Sequence, residues 1–143
     1  MKKRLVIDTD AGIDDAIAIW MALADPAVEL VAITAVSGNV PVDQVVRNIG
    51  IVLDLAGAGP IPFFRGASQP LVGPPVHAMD IHGQDGLGNA GFPPSSRHPE
   101  PGPAPWALVE LARRFPGELF LVALGPLTNV ALALAIEPDL PRL

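Results

Sequence analysis

The sequence lacks cysteine, and its only lysines are Lys2 and Lys3. The absence of cysteine excludes disulfide frameworks, thiolate metal sites and cysteine nucleophiles, but it leaves the compartment open. Nine Lys and Arg against fifteen Asp and Glu give a net charge of −6, with no basic run. Such a chain is a poor electrostatic partner for nucleic acid or for an anionic membrane. The apolar run after the basic N-terminus, 5–7, is too short for a signal peptide or a membrane span. We therefore expect a soluble, cytoplasmic protein.

Half of the 143 residues are hydrophobic and only 17% are charged. This much apolar surface has to be buried, so the chain is expected to fold rather than to stay disordered. Its length suits a single domain, 1–143.

Four apolar runs rich in β-branched residues alternate with helical patterns. The predicted strands are 5–7, 28–36, 61–64 and 119–123, and the predicted helices are 13–24, 42–56, 106–115 and 129–136. Fully apolar strands that alternate with helices are typical of right-handed βαβ crossovers in a parallel sheet. The sequence therefore predicts an α/β fold with an open parallel sheet and flanking helices, Rossmann-like in type.

The segment 65–105 is predicted to be a long loop, because it holds most of the 17 prolines and a cluster of glycines. Loops of this length in compact domains are often functional. We interpret this one as an active-site loop within the domain and as a candidate lid.

Residues 8–15 read DTDAGIDD and place four carboxylates at the carboxyl end of the first strand, where open α/β sheets bind ligands. Helix capping by Asp14 and Asp15 explains two of the four but leaves Asp8 and Asp10 unexplained. Crowded like charges destabilise a fold unless a cation or strong donors offset them. Oxygen ligands of this kind suit Ca²⁺ or Mg²⁺, so the cluster predicts a metal site.

Two later segments, 37–39 and 128–129, also follow predicted parallel strands. Taken alone, the first is an ordinary turn and the second an ordinary helix cap. Because the carboxyl ends of parallel strands meet at one rim, we expect both segments to lie beside the acidic cluster.

Three other interpretations fail, one on the spacing of its glycines and two on a missing lysine. The glycines at 83, 86 and 88 have the wrong spacing for a dinucleotide fingerprint, and no helix is predicted after them. A phosphatase of the haloacid dehalogenase type, suggested by Asp8-x-Asp10, and a receiver-like Mg²⁺ module both need a lysine later in the chain. The sequence has none after Lys3.

Residues 8–16, DTDAGIDDA, resemble the N-terminal signature of the inosine–uridine-preferring nucleoside hydrolases. Three further segments agree with that family in order and spacing: SGN at 37–39, IHGQDGLG at 81–88 and LGPLTN at 124–129. Many members have proline where Ala11 stands, and alanine is expected to keep the turn feasible.

The resemblance implies Ca²⁺-assisted hydrolysis of the N-glycosidic bond of ribonucleosides such as inosine or uridine. The products are ribose and a free base, as in purine and pyrimidine salvage. It also implies that Asp10 and Asp15 bind Ca²⁺ through their carboxylates and Thr128 through its backbone carbonyl. Asp10 is further expected to act as the general base toward the attacking water.

The same resemblance implies that Asp14 and Asn39 bind ribose hydroxyls. It suggests that His82 contacts the departing base or helps to protonate it. Asp8 is expected to support the ligands from behind. His77 and His98 match no part of the family pattern and are expected to be exposed.

Members of this family are about twice as long as this chain, and their second half supplies a further aspartate ligand and a histidine proposed as general acid. We therefore expect a half-site with weak Ca²⁺ affinity. We also expect a sheet left open after four βα units, which forms a homo-oligomer or pairs with a complementing C-terminal chain. A fragment of a longer protein is a third possibility. The alternative function is an inactive nucleoside- or metal-binding remnant.

Overall fold

The computed structural model describes residues 2–143. In chain order its elements are β1 (Lys3–Thr9), α1 (Ile13–Ala24), β2 (Val28–Ala35), α2 (Val42–Leu55), β3 (Phe63–Arg65), α3 (Met79–His82), α4 (Ala104–Arg114), β4 (Leu119–Ala123), α5 (Thr128–Ile136) and a 3₁₀ helix (Leu140–Arg142). All eight predicted elements are present, with ends shifted by no more than two residues. The short helix α3, inside the long loop, is not indicated by the sequence pattern.

The four strands form one parallel sheet in the order β3-β2-β1-β4. The chain moves outward from β1 to β3 and then crosses back to place β4 on the other side of β1. Such a reversal is a topological switch point, and ligands bind at the carboxyl ends of the strands that flank it. The acidic turn 10–12, directly after β1, lies at this position.

Alternate residues of the central strands enter two separate cores. Ile7 and Ile33 pack in the core formed with α1 and α2, whereas Val6 and Ala32 pack in the core formed with α4 and α5. Fully burying an isoleucine or valine side chain, such as those of Ile7, Ile33 and Val6, contributes roughly 1.5–3 kcal/mol. The sheet is therefore covered by helices on both faces, which confirms the predicted fold class.

The outer strand β4 pairs only with β1 among residues 2–143. Its side chains Phe120, Leu121 and Val122 are 52%, 38% and 37% exposed. An apolar edge strand of this kind is a template for pairing with further polypeptide. Within the same described part of the chain, every helix is too short or too polar to cross a membrane.

Candidate active site at the carboxyl ends of β1 and β4

Asp8, near the end of β1, is completely buried. Its Oδ1 accepts hydrogen bonds from the Thr34 hydroxyl at 2.6 Å and from Asn129 Nδ2 at 2.8 Å. Burial raises the pKa of Asp8 to about 6, although both hydrogen bonds act in the opposite direction. The other carboxyl oxygen, Oδ2, is buried without a partner. Asp8 thus lies behind the acidic turn and anchors β1 to its neighbours.

Asp10 lies one residue beyond β1 and is 6% exposed. Its Oδ2 accepts the backbone N–H of Asn39 at 2.7 Å. Gly38 packs directly against the carboxylate, since a β-carbon on Gly38 would lie 2.7 Å from Asp10 Cγ. Only glycine leaves room here, so the turn 37–39 holds the Asp10 side chain in one orientation.

Asp15 lies in the first turn of α1 and is 3% exposed. Its Oδ2 accepts the N–H of Gly12 at 2.8 Å, which satisfies a donor at the start of the helix. Burial raises the pKa of Asp15 to about 7. The Gly12 N–H opposes that shift, while the neighbouring Asp10 carboxyl adds to it. Asp15 therefore both caps α1 and adds a buried carboxyl next to that of Asp10. We call Asp10 and Asp15 the acidic pair.

Asp14 and His82 lie at the open side of this pair. The Asp14 side chain is 82% exposed, and its Oδ1 lies 3.9 Å from His82 Nδ1. The backbone N–H of Ile13 points at the same ring nitrogen from 3.3 Å. If Nδ1 accepts this bond, the neutral ring carries its proton on Nε2, which leaves Nε2–H free to donate elsewhere.

Gly12 brings Asn39 and His82 together. A β-carbon at this position would lie 2.5 Å from Asn39 Nδ2 and 2.8 Å from His82 Nδ1. The side chains of Asn39 and His82 therefore pack directly against the backbone of Gly12, where any larger residue would displace them. The sequence motifs at 8–16, 37–39 and 81–88 thus meet at one place.

Thr128 is buried at the start of α5, just after β4. The contact between this segment and the acidic turn runs through Gly125, where a β-carbon would lie 2.9 Å from the backbone nitrogen of Asp10. Leu124 N–H also donates to the Asp8 carbonyl at 2.8 Å. The segment 124–128 therefore lies on the same rim as Asp10.

Asn129 has a structural role that the sequence motifs did not reveal. Its Nδ2 donates to Asp8 Oδ1 and to the Ala35 carbonyl, and its Oδ1 accepts the Ala67 N–H at 2.9 Å. One buried amide thereby joins β1, β2 and the segment after β3. The only sequence signal was its place in the motif 124–129.

The positive φ of 44° at Ala11 shapes the acidic turn. The Ala11 N–H donates to Thr9 Oγ1 at 2.9 Å. Proline could do neither, because its φ is fixed near −65° and it has no N–H. Alanine thus fits a turn geometry here that proline could not adopt.

His77 is a correction to the sequence prediction. It was expected to be exposed, but it is half-buried, and its Nδ1 lies 2.7 Å from the Gly38 carbonyl oxygen. The prediction failed because the long loop folds back over the turn 37–39. His98 is exposed, as expected.

The acidic pair offers carboxylate oxygens, which are the ligands that hard divalent cations prefer. Two carboxylates that are both nearly excluded from water repel each other unless a proton or a cation lies between them. No cluster of three or more His, Cys, Asp or Glu side chains suited to a metal occurs in residues 2–143. The oxygen ligands present are therefore of the type that Ca²⁺ binds, but they are fewer than the roughly six to eight that it prefers.

An open parallel sheet with a buried acidic pair at its switch point defines an α/β domain with an oxygen-rich polar site at the position where such sheets bind ligands. The chain belongs to the family of inosine-uridine preferring nucleoside hydrolases, whose family model matches residues 5–143. This match confirms the resemblance drawn from the four sequence motifs.

Curated relatives carry the corresponding names. "Probable uridine nucleosidase 2" of Arabidopsis thaliana is 42% identical over 143 residues, which cover 99% of this chain and 44% of that protein. "Inosine-uridine preferring nucleoside hydrolase" of Leishmania major is 39% identical over 140 residues, 96% of this chain and 45% of that protein.

Solved structures agree with the fold. A plant nucleoside hydrolase superposes with a TM-score of 0.94 at 40% identity and covers 99% of this chain and 45% of its own. An inosine-guanosine nucleoside hydrolase superposes with a TM-score of 0.87 at 50% identity, with coverage of 98% and 44%. The chain thus spans less than half the length of these relatives.

Proposed function

We propose that this chain carries the water-activating half of a nucleoside hydrolase site, which hydrolyses the N-glycosidic bond of a ribonucleoside. The observation that carries the proposal is the buried pair Asp10 and Asp15 at the switch point of the sheet. Asp10 and Asp15, with the Thr128 carbonyl, would hold a divalent cation such as Ca²⁺. When bound, the cation supplies positive charge that orients the attacking water and lowers its pKa.

Asp10 acts as the general base in this proposal. The Asn39 N–H fixes one of its oxygens, so the carboxylate presents a constant face to an incoming water. Asp10 takes a proton from the water as the water oxygen bonds to C1′ of the ribose. The C1′–N bond breaks, and its electron pair goes to the nitrogen of the base.

Three further residues assist from the open side of the acidic pair. Asp14, with its exposed carboxylate, and the Asn39 side chain accept and donate hydrogen bonds to ribose hydroxyls. Such bonds strengthen as the sugar becomes oxocarbenium-like. His82, with Nδ1 occupied by the Ile13 N–H, offers Nε2–H to the departing base.

Catalysis in this proposal requires more polypeptide than these residues provide. The acidic pair has too few oxygens for Ca²⁺, and the free edge of β4 exposes apolar side chains. We propose that a complementing chain, or a second copy, covers β4 and completes the site. The ligand deficit also favours a second candidate, a nucleoside- or metal-binding protein without turnover. We also propose that the protein is cytoplasmic and that it takes part in the salvage of purines or pyrimidines.

Release of reducing sugar from inosine or uridine, with and without Ca²⁺, tests the proposal. The chain is assayed alone and mixed with a polypeptide that carries the remaining part of the 50%-identical inosine-guanosine nucleoside hydrolase. We expect turnover in the mixture, and we expect Asp10→Asn to lower kcat at least about a hundredfold. Asp25→Asn, at the exposed far end of α1, is the matched control and should leave kcat unchanged. Equal activity of Asp10→Asn and wild type would rule out Asp10 as the base. Tight cation binding without turnover in any mixture would favour the binding protein.

Light scattering tests the open edge separately. We expect the isolated chain to self-associate, and we expect Val122→Lys on β4 to reduce the average mass. A stable monomer at high concentration would contradict this part of the proposal.

A further inference from the structure

His77 lies 39 residues after Gly38 in sequence, yet its ring contacts the Gly38 carbonyl. The distance from Nδ1 to the carbonyl oxygen is 2.7 Å. A carbonyl oxygen can only accept, so the hydrogen bond requires that Nδ1 carry the proton. The contact therefore specifies the Nδ1–H tautomer of His77, or its doubly protonated form.

The carbonyl that His77 contacts belongs to the same peptide group as the Asn39 N–H. That N–H donates to Asp10 Oδ2 at 2.7 Å. Because a trans peptide group is planar, its C=O and N–H point in opposite directions. The group is thus held from both sides, by the His77 ring at its oxygen and by the Asp10 carboxylate at its hydrogen.

Glycine makes this peptide group easy to turn over, since it has no side chain to oppose rotation of the backbone. A turned-over group would direct its carbonyl oxygen at the Asp10 carboxylate. The next loop residue contacts the following peptide group, because Ala78 N–H donates to the Asn39 carbonyl at 3.0 Å. Of these two contacts from the long loop, only that of His77 comes from a side chain and can be removed by substitution.

We propose that His77 is a positioning residue, which acts through the Gly38–Asn39 peptide group to orient the Asp10 carboxylate. Hydrogen bonds in a chain polarise one another, so the His77 contact also strengthens the Asn39 N–H bond to Asp10. Its relevance to catalysis rests on the proposed function, but the orientation itself does not.

NMR of the protein tests the orientation without any activity assay. Long-range ¹H–¹⁵N spectra should show a proton on His77 Nδ1, and an Nε2–H tautomer would overturn the proposal. In His77→Ala we expect amide exchange of Asn39 to accelerate at least about tenfold, since the Gly38–Asn39 peptide group is then no longer held at its carbonyl oxygen. His77→Asn, whose Nδ2 takes the place of Nδ1, should stay within about twofold of wild type. His98→Ala is the exposed control, and an unchanged Asn39 amide in His77→Ala would refute the proposal.

Kinetics of the completed enzyme test the consequence. We expect His77→Ala to lower kcat about tenfold while KM changes by less than about threefold, and His77→Asn to restore kcat. Normal kcat in His77→Ala, alongside faster Asn39 exchange, would refute the positioning role. If the wild-type mixture releases no sugar, the proposed function fails, while the NMR result still decides whether His77 orients the peptide group.

Discussion

Replacing Asp15 by Asn should flatten the dependence of stability on pH. Burial raises the pKa of Asp15 from 3.8 to about 7 in the folded state. Between these values the folded chain keeps a proton that the unfolded chain has lost. The proton-linked stabilisation is therefore complete below about pH 3.8, falls as pH rises, and is gone above about pH 7.

The size of the effect follows from the shift. About three pK units at 1.36 kcal/mol each correspond to about 4 kcal/mol, a large part of the stability of an ordinary domain. Asp8, raised to about 6, adds a change of the same sign over a narrower range.

Urea unfolding at a series of pH values measures this difference. Tryptophan fluorescence reports the unfolding, because the indole N–H of Trp20 donates to the Val52 carbonyl at 3.0 Å in the folded chain. Asn at position 15 keeps an oxygen for the Gly12 N–H but cannot ionise. Between pH 4.5 and 8, which covers about 2.5 of these pK units, we expect the wild-type free energy of unfolding to fall by about 3 kcal/mol more than that of Asp15→Asn. Asp25→Asn, the exposed control, should follow the wild type.

Ca²⁺ provides the complementary arm of this experiment. A cation bound at the Asp15 carboxylate should restore about 2.7 kcal/mol to the wild type above pH 7 when its concentration is about a hundred times the Kd. Asp15→Asn should gain much less. Parallel pH curves for the wild type and Asp15→Asn, without Ca²⁺, would refute the reasoning, since they would mean that Asp15 ionises freely in the folded state.

Three further substitutions test the packing of the site. Gly38→Ala should weaken Tb³⁺ or Ca²⁺ binding at least about tenfold, because its methyl group would overlap the Asp10 carboxylate. Gly59→Ala, where a β-carbon meets nothing within 4 Å, should bind as wild type does, and equal affinities of the two variants would contradict the packing argument. Asn129→Leu should lose about 3–5 kcal/mol in urea unfolding, because it leaves several buried polar groups unpaired; a loss below about 1 kcal/mol would argue against the bridge. Ala11→Pro should lower Tm by several degrees while Ala11→Gly changes it little, and an unchanged Tm in the proline variant would show that the turn has another conformation.

The fold was predictable because its signals are local. Apolar runs mark the strands, and their alternation with helices leaves a parallel sheet as the simple solution. The rim could also be predicted, since the carboxyl ends of parallel strands share one edge. For this reason the acidic cluster and the segments 37–39 and 128–129 were expected on one rim, and the structure brings Asp10 to Asn39 and Asp8 to Asn129.

The finer arrangement was not predictable from local pattern. Asp14 and Asp15 are neighbours of the same type, yet the turn of α1 directs one into solvent and buries the other. His77 and Asn129 act through partners that are 39 and 121 residues distant in sequence. No pattern within a short window encodes such pairings, which depend on how the long loop and α5 pack.

The amide of Asn129 has a consequence for how the chain assembles. Asp8 emerges early in synthesis, but its buried carboxyl has to wait for a donor 121 residues later. We expect β1 and β2 to stay loosely paired during translation, with the acidic turn still open to water, until α5 docks. Burial of the site around Asp8 is then a late event in the folding of these residues. A nascent chain halted before α5 should therefore remain readily digested by protease, although it already contains Asp8, Asp10 and Asp15.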